Sequence, residues 1–342
     1  MDETAGRNIS VEKHFATLGK RQKPRHRFEG TTSEAFEKWK GELRPKVLAS
    51  LGKRVEKVAL NPAVIWEREE EGVIKRRVIV DVEEGLSAPV LVYRPAGATG
   101  KLPAILCCHG HGPYGKDAVM GIASDEARRK HIRECNYDYG LQMAKKGFVT
   151  AAIDWRGFGE RNEHGGTDYC NKHFIREALI GRTLLGMDIH DGQCVLDYLQ
   201  TLEFVDAKKI GVMGLSFGGT MTTWIALTDE RIKAADIICY SDRFESFAMK
   251  RANFCGSQMT PGLFELCDVP DLQGLIAPLP LLVEIGRGDA CFPIGPAKSC
   301  YEALEQIYIA AGAHEGLLLD EFEGGHMWGG NLSERFFRKY LA

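Results

Sequence analysis

The sequence has no apolar stretch long enough to cross a bilayer, which takes about 20 consecutive apolar residues. It also has no apolar leader, since the first ten residues, MDETAGRNIS, are polar and acidic. A cytoplasmic protein with no membrane partner is therefore expected, unless a leader was removed. Charge of one sign is missing too. The 44 Lys and Arg nearly balance the 47 Asp and Glu, for a net charge of −3, so no broad field would draw nucleic acid. The one basic run, Lys20-Arg21-Gln22-Lys23-Pro24-Arg25-His26-Arg27, has no interleaved aromatics and reads as a solvated surface or mobile arm. The ten cysteines include no C-x-x-C pair and sit mostly inside apolar runs such as AILCCHG and ADIICY. That pattern suits buried thiols better than a disulfide framework, a zinc ribbon or a redox motif. There is no internal repeat and no low-complexity tract.

What is present is an ordinary globular composition, 44% hydrophobic and 27% charged over 342 residues, with enough chain for a sizeable core. Residues 1–30 show little periodicity. Ser33 is placed to cap a helix over 33–52, where Phe36, Trp39, Leu43, Val47, Leu48 and Leu51 fall near helical spacing and Gly52 ends it. Three β-branched segments follow, up to Pro95, and read as an antiparallel start to a sheet. From Leu102 the pattern changes to short apolar runs without alternation: LPAILCCHG, FVTAAIDWRG, KKIGVMGLS, IKAADIICY, PLPLLVEIG and GLLLDEFEGG. Strands covered on both faces look like this. Helical stretches at 125–146, 186–202, 218–228, 296–311 and 331–341 lie between them. Strand and helix in alternation imply a doubly wound, mostly parallel α/β sheet with helices on both faces. The expected organisation is an N-terminal arm and helical cap over 1–55 and a catalytic domain over 56–342. Long insertions near 159–185 and 241–275 leave the carboxyl ends of strands, where open α/β sheets bind ligands.

The stretch GVMGLSFGG, residues 211–219, places Ser216 inside G-x-S-x-G, directly after an apolar strand and directly before a helix. A glycine-rich turn with a capping serine would look similar. The strand-to-helix context favours a nucleophile instead, because such a turn exposes the hydroxyl next to the free amides of a helix start. A serine hydroxyl needs a base, and the base needs an orienting acid. Asp289, in GRGDACFP, and His326, in EGGHMWGG, each follow a strand and give the chain order Ser, Asp, His. Asp242 is the rival acid, and His164, His173, His190 and His314 are rival bases. The backbone amides of Phe217 and of His111, the latter in His109-Gly110-His111-Gly112, are the expected oxyanion donors. Cys107, Cys108, His109 and His111 contain metal-ligand types. However, strand alternation sends the two cysteines to opposite faces, and no second cluster follows. His109 reads as a packed, hydrogen-bonded histidine.

The stretches CCHGHG, IDWRGFGER, GRTLLGMDIHDGQCVLDYL, GVMGLSFGGTMTTWIAL, GRGDACFP and GGHMWGG resemble the α/β-hydrolase superfamily, in its dienelactone-hydrolase and acetyl-xylan-esterase-like branch. The resemblance implies the α/β-hydrolase fold. It also implies hydrolysis of a small-molecule carboxylic ester through an acyl-enzyme, with Ser216, Asp289 and His326 as the triad and with no metal or organic cofactor. Relatives that act on dienelactone use cysteine as nucleophile, so the serine here points away from that substrate. Small acyl or acetyl esters are expected. A serine peptidase, an acyltransferase or a non-catalytic binding protein would share most of these features. Asp154 and Arg156 of DWRGFGER are expected to be structural. Tyr114, Arg161, Cys291, Met327 and Trp328 are candidate substrate-lining residues by proximity in sequence. Oligomeric state is left open, a homo-oligomer included.

Overall fold

Two tight turns build the first part of the sheet. Glu71 and Gly72, both at positive φ (53° and 74°), join β1 (Ala63–Glu70) to β2 (Val73–Glu83). This is the two-residue hairpin that matches the right-handed strand twist. A second turn leads into β3 (Leu86–Pro95), and both pairs are antiparallel. The remaining strands are β4 (Leu102–Cys108), β5 (Val149–Ile153), β6 (Val205–Leu215), β7 (Ile232–Ile238), β8 (Leu281–Gly286) and β9 (Leu317–Phe322). The computed structural model describes residues 4, 6–163, 165, 166 and 169–341. Among these, all nine strands form one sheet in the order β1-β2-β3-β5-β4-β6-β7-β8-β9. From β5 to β9 every neighbouring pair is parallel, as the runs without alternation imply, and β3 joins β5 antiparallel.

An apolar layer covers each face. Cys108, Trp155 and Trp224 belong to one, and Cys107, Phe148 and Phe337 to the other. The adjacent cysteines therefore point to opposite faces, and none of the ten cysteines forms a disulfide. No helix among the described residues is long and apolar enough to cross a membrane.

The helix Ser33–Ala49 forms where its periodicity puts it, but its cap is Thr32, whose hydroxyl accepts from the Ala35 amide at 3.2 Å, rather than Ser33. Phe36, Trp39, Leu43 and Val47 are buried in the same layer as the sheet. At roughly 1.5–3 kcal/mol for each large apolar side chain removed from water, this stripe fixes the helix to the sheet.

Two sequence expectations are corrected and a third is narrowed. A helix forms at Val11–Arg21, inside the stretch of little periodicity. Val11, Phe15 and Leu18 stand at the i, i+4 and i+7 spacing of one helix face, yet they remain exposed, and contact is made through Gly19, where a Cβ would lie 2.7 Å from Met249 Cβ. Of its two readings the basic run takes the solvated surface, with Lys20, Arg21, Lys23, Arg25 and Arg27 exposed, and not the mobile arm. The Arg25 and His26 amides donate to the carbonyls of Glu265 and Leu266, and Arg25 pairs with Glu265 at 2.7 Å. The single helix expected over 125–146 breaks into Glu126–Cys135 and Tyr139–Lys145, because Asn136 turns left-handed at φ 46° and its side-chain Nδ2 donates to the Trp328 carbonyl at 3.1 Å.

The first insertion contains the helix Tyr169–Leu179, and the second contains short turns and the helix Val269–Gly274. The two insertions meet where the Gly256 amide donates to Asn171 Oδ1 at 2.9 Å.

Candidate active site

β6 ends at Leu215 and the next helix starts at Phe217, so Ser216 alone turns the chain. Its φ of 63° and ψ of −120° form a backbone that non-glycine residues rarely adopt, at a cost of order 1–3 kcal/mol. Close packing around it keeps the turn in place. The Ser216 amide donates to the Ile238 carbonyl at 2.9 Å. A Cβ on Gly214 or Gly218 would come within 2.6 Å or 2.0 Å of the Cys108 carbonyl. Only glycine lets the elbow sit this close to the loop after β4.

That loop is held by a buried hydrogen-bond network. His109 Nε2 accepts from the Trp155 amide at 3.1 Å, so its proton lies on Nδ1, which donates to the Gly110 carbonyl at 2.8 Å. Tyr137 Oη accepts from the Gly110 amide at 2.7 Å, and Tyr139 Oη donates to the Cys108 carbonyl at 2.6 Å. The break at Asn136 is what brings these two tyrosines under the loop. The amides of His111 and Phe217 donate to no other described residue, which leaves both free to face an oxyanion.

Burial lowers the His109 pKa to about 4. The unfolded chain protonates near 6.5, so between about pH 6.5 and 4 only the unfolded state takes up this proton. Stability contributed by neutral His109 is complete above pH 6.5 and is lost as pH falls towards 4. The full loss is of order 3 kcal/mol. Urea unfolding between pH 4.5 and 7.5 should therefore be steeper in pH for the wild type than for His109→Gln. Equal slopes would rule out this assignment.

Across the cavity, Asp289 Oδ2 lies 2.8 Å from His326 Nδ1, while Oδ1 accepts from the amides of Cys291 and Phe292 at 2.7 and 2.9 Å. Burial alone would raise the Asp289 pKa, but the His326 ring and the two amides outweigh it and hold the carboxyl below the usual aspartate range. Phe292 stacks on the His326 ring, with centroids 5.7 Å apart and planes at 22°. The His326 loop is pinned from below by Glu284, which accepts from the amides of Gly329 and Gly330 at 2.8 and 3.1 Å and from the Ser333 hydroxyl at 2.7 Å. Burial pushes the Glu284 pKa up.

Ser216, His326, His111 and Cys291 line one cavity of about 330 Å³, together with Asn171, Asn253, Phe254, Cys255, Gln258 and Phe292. Both insertions contribute to its wall.

The rivals are engaged elsewhere. Asp242 pairs with Arg251 at 2.5 Å, His190 contacts the Val82 carbonyl at 2.6 Å, and His314 pairs with Glu305 at 3.2 Å. His173 faces a different cavity, and His164 lies outside the described residues. Asp154 accepts from the Lys116 ammonium at 2.9 Å, and Arg156 grips Asp191 with two bonds at 2.8 and 2.9 Å. Both are structural.

Four expected lining residues are not in the cavity wall. Arg161 is turned inward onto Asp191 at 2.7 Å and the Asp154 carbonyl at 3.1 Å. A buried aspartate holds a guanidinium more firmly than an open cleft can. Tyr114 packs against His131 and beneath the Arg128 guanidinium. Trp328 is buried and donates to the Ser333 hydroxyl at 3.0 Å, and Met327 packs in the apolar layer beside it. Sequence reading missed Phe292, Asn171, Asn253 and Gln258. Phe292 had a usable signal, since it stands three residues past Asp289, within reach of an aspartate turn. The others had none.

Comparison with known proteins places the fold and the family. The "Putative hydrolase YtaP" of Bacillus subtilis is 26% identical over 312 residues, covering 88% of this chain and all of its own. A solved "putative acetyl xylan esterase" of Bacteroides fragilis superposes with a TM-score of 0.74 at 20% identity, over 94% of this chain and 84% of its own. The glucuronoyl esterase of Solibacter usitatus superposes with a TM-score of 0.70 at 16% identity, over 90% of this chain and 94% of its own. At these identities the two structures establish the fold, which is that of the α/β-hydrolases. The Abhydrolase family profile matches residues 1–305, most of the chain, and the chain therefore belongs to the Abhydrolase family.

Proposed function

We propose that the chain is a serine hydrolase of carboxylic esters, with Ser216 as nucleophile, His326 as general base and Asp289 as the acid that orients it. The observation that carries this reading is the 2.8 Å contact between His326 Nδ1 and Asp289 Oδ2, on a cavity that His326 shares with the strained Ser216. Asp289 holds the Nδ1 tautomer, so Nε2 is left to take the serine proton as Oγ attacks the ester carbonyl. The amides of Phe217 and His111 bind the oxyanion. His326 returns the proton to the leaving alcohol, and water then repeats the sequence on the acyl-enzyme. No step calls for a metal or an organic cofactor.

The cavity favours a small acyl group on a polar alcohol. Its volume of about 330 Å³ is modest, and Phe254 and Phe292 bound it. Asn171 Nδ2 and Asn253 Oδ1 bond to no other described residue, so one donor and one acceptor stand ready for substrate hydroxyls. Of the structural relatives, the putative acetyl xylan esterase is named for an ester of this kind, whereas the glucuronoyl esterase is named for the ester of a sugar acid. In this reading residues 56–342 carry the chemistry and residues 1–55 brace it.

A fluorophosphonate should label Ser216, and a panel of p-nitrophenyl esters and acetylated sugars should show turnover falling with acyl length. Labelling at another residue, or peptide cleavage without ester cleavage, would overturn the reading.

A further inference from the structure

Three metal-ligating side chains meet beside the cavity, two of them in its wall, and the ester chemistry uses none of these side chains. His111 comes from the loop after β4, Cys170 from the helix of the first insertion, and Cys255 from the second insertion. Their ligand atoms all lie within 4.8 Å of one another, with His111 Nε2 3.4 Å from Cys170 Sγ. A tetrahedral Zn²⁺, with Zn–S of about 2.3 Å and Zn–N of about 2.0–2.1 Å, sets S···N edges near 3.5 Å and S···S edges near 3.8 Å. The His111–Cys170 pair already stands at that spacing, and Cys255 Sγ lies within 4.8 Å of both ligand atoms. A bond between the neighbours of the two cysteines ties the insertions together there, the Gly256 amide donating to the Asn171 side-chain Oδ1 at 2.9 Å.

Other ligand-type groups do not compare. The Cys239, Asp289 and His326 group has its aspartate and imidazole bonded to each other at 2.8 Å. Cys107 and Cys108 lie on opposite faces of the sheet, and both nitrogens of His109 are engaged.

We propose that His111, Cys170 and Cys255 form a binding site for Zn²⁺ and that its occupancy shuts off the enzyme. Two thiols release their protons to solvent as they bind. Two thiolates and a neutral imidazole then balance the ion's charge and leave its fourth position to water. His111 and Cys255 line the cavity with Ser216, so a bound ion takes substrate volume. It also ties down the residue whose amide faces the oxyanion. The inhibition rests on the esterase reading, but the binding does not.

Co²⁺ added to the full-length protein under a non-chelating reductant tests the binding directly. One equivalent should produce a thiolate charge-transfer band and the visible bands of tetrahedral Co²⁺. Cys170→Ser and Cys255→Ser should each weaken the site by at least about 100-fold, more than is lost when a group behind a ligand is removed. In the wild type, Zn²⁺ should protect Cys170 and Cys255 from iodoacetamide, a readout that depends on no variant. Zn²⁺ should also abolish turnover of a short ester by the wild type, and Cys170→Ser should be insensitive to it. Absent thiolate bands, unprotected cysteines, or zinc inhibition that survives both substitutions would each overturn the proposal. Clear Co²⁺ bands in a protein without esterase activity would instead uphold the site and remove the function proposed above.

Discussion

Ser216→Ala should reduce turnover of a short p-nitrophenyl ester to background while leaving the fold intact. Removing the nucleophile of a serine triad lowers kcat by roughly 10⁴–10⁶-fold, since the remaining oxyanion donors and substrate contacts supply only a small rest. Stability should move by less than about 0.5 kcal/mol. The Ser216 hydroxyl bonds to no other described residue, and it opens onto the cavity, so its loss leaves no buried partner unsatisfied. Ester hydrolysis assayed beside a urea unfolding curve separates the two effects. Turnover within tenfold of the wild type, with an unchanged unfolding midpoint, would show that Ser216 is not the nucleophile.

Gly218→Ala should damage both stability and activity. A Cβ at this position would sit 2.0 Å from the Cys108 carbonyl oxygen and 2.9 Å from its carbon, both backbone atoms. That carbonyl cannot swing away freely, because Tyr139 Oη donates to it at 2.6 Å. The helix start and the loop after β4 must separate, and they carry the two amides proposed to bind the oxyanion. Overpacking of a tight interior costs about 1–3 kcal/mol and sometimes more. Losing even one oxyanion donor costs about 100- to 1,000-fold in rate. A lowered urea midpoint together with at least about a 100-fold loss of turnover is the expected result. Gly112→Ala is the control: a Cβ there meets nothing within 4 Å, and its unfolding midpoint should not move. If Gly218→Ala matched the wild type in both measurements, the loop could not lie where it is described.

Position in the sequence carried much of the proposed site because its parts are local. The elbow at Ser216 is a strand, one turning residue and a helix, and glycine spacing encodes it directly. Asp289 and His326 were legible for a related reason, as each follows an apolar run that becomes β8 or β9. Arg161 shows where such reading fails. It stands beside the sheet edge in sequence, yet the buried Asp191 captures its guanidinium, and Asp191 is 30 residues away. Tyr114 and Trp328 fail in the same way, because adjacency along the chain says nothing about the direction a side chain takes.

Apart from Val11–Arg21, Gly115–Val119, Tyr169–Leu179, Leu263–Leu266 and Val269–Gly274, the helices, like the strands and the parallel sheet, were determined by the sequence itself. Each of these depends on periodicity or on a turn of a few residues. Tertiary structure decided that β3 pairs with β5, that a helix could form on the sparse pattern at Val11–Arg21, and that two distant insertions would wall one cavity. It also brought Cys170 and Cys255 together across 85 residues beside His111. Contacts between remote segments depend on how whole faces pack, and no local spacing records them.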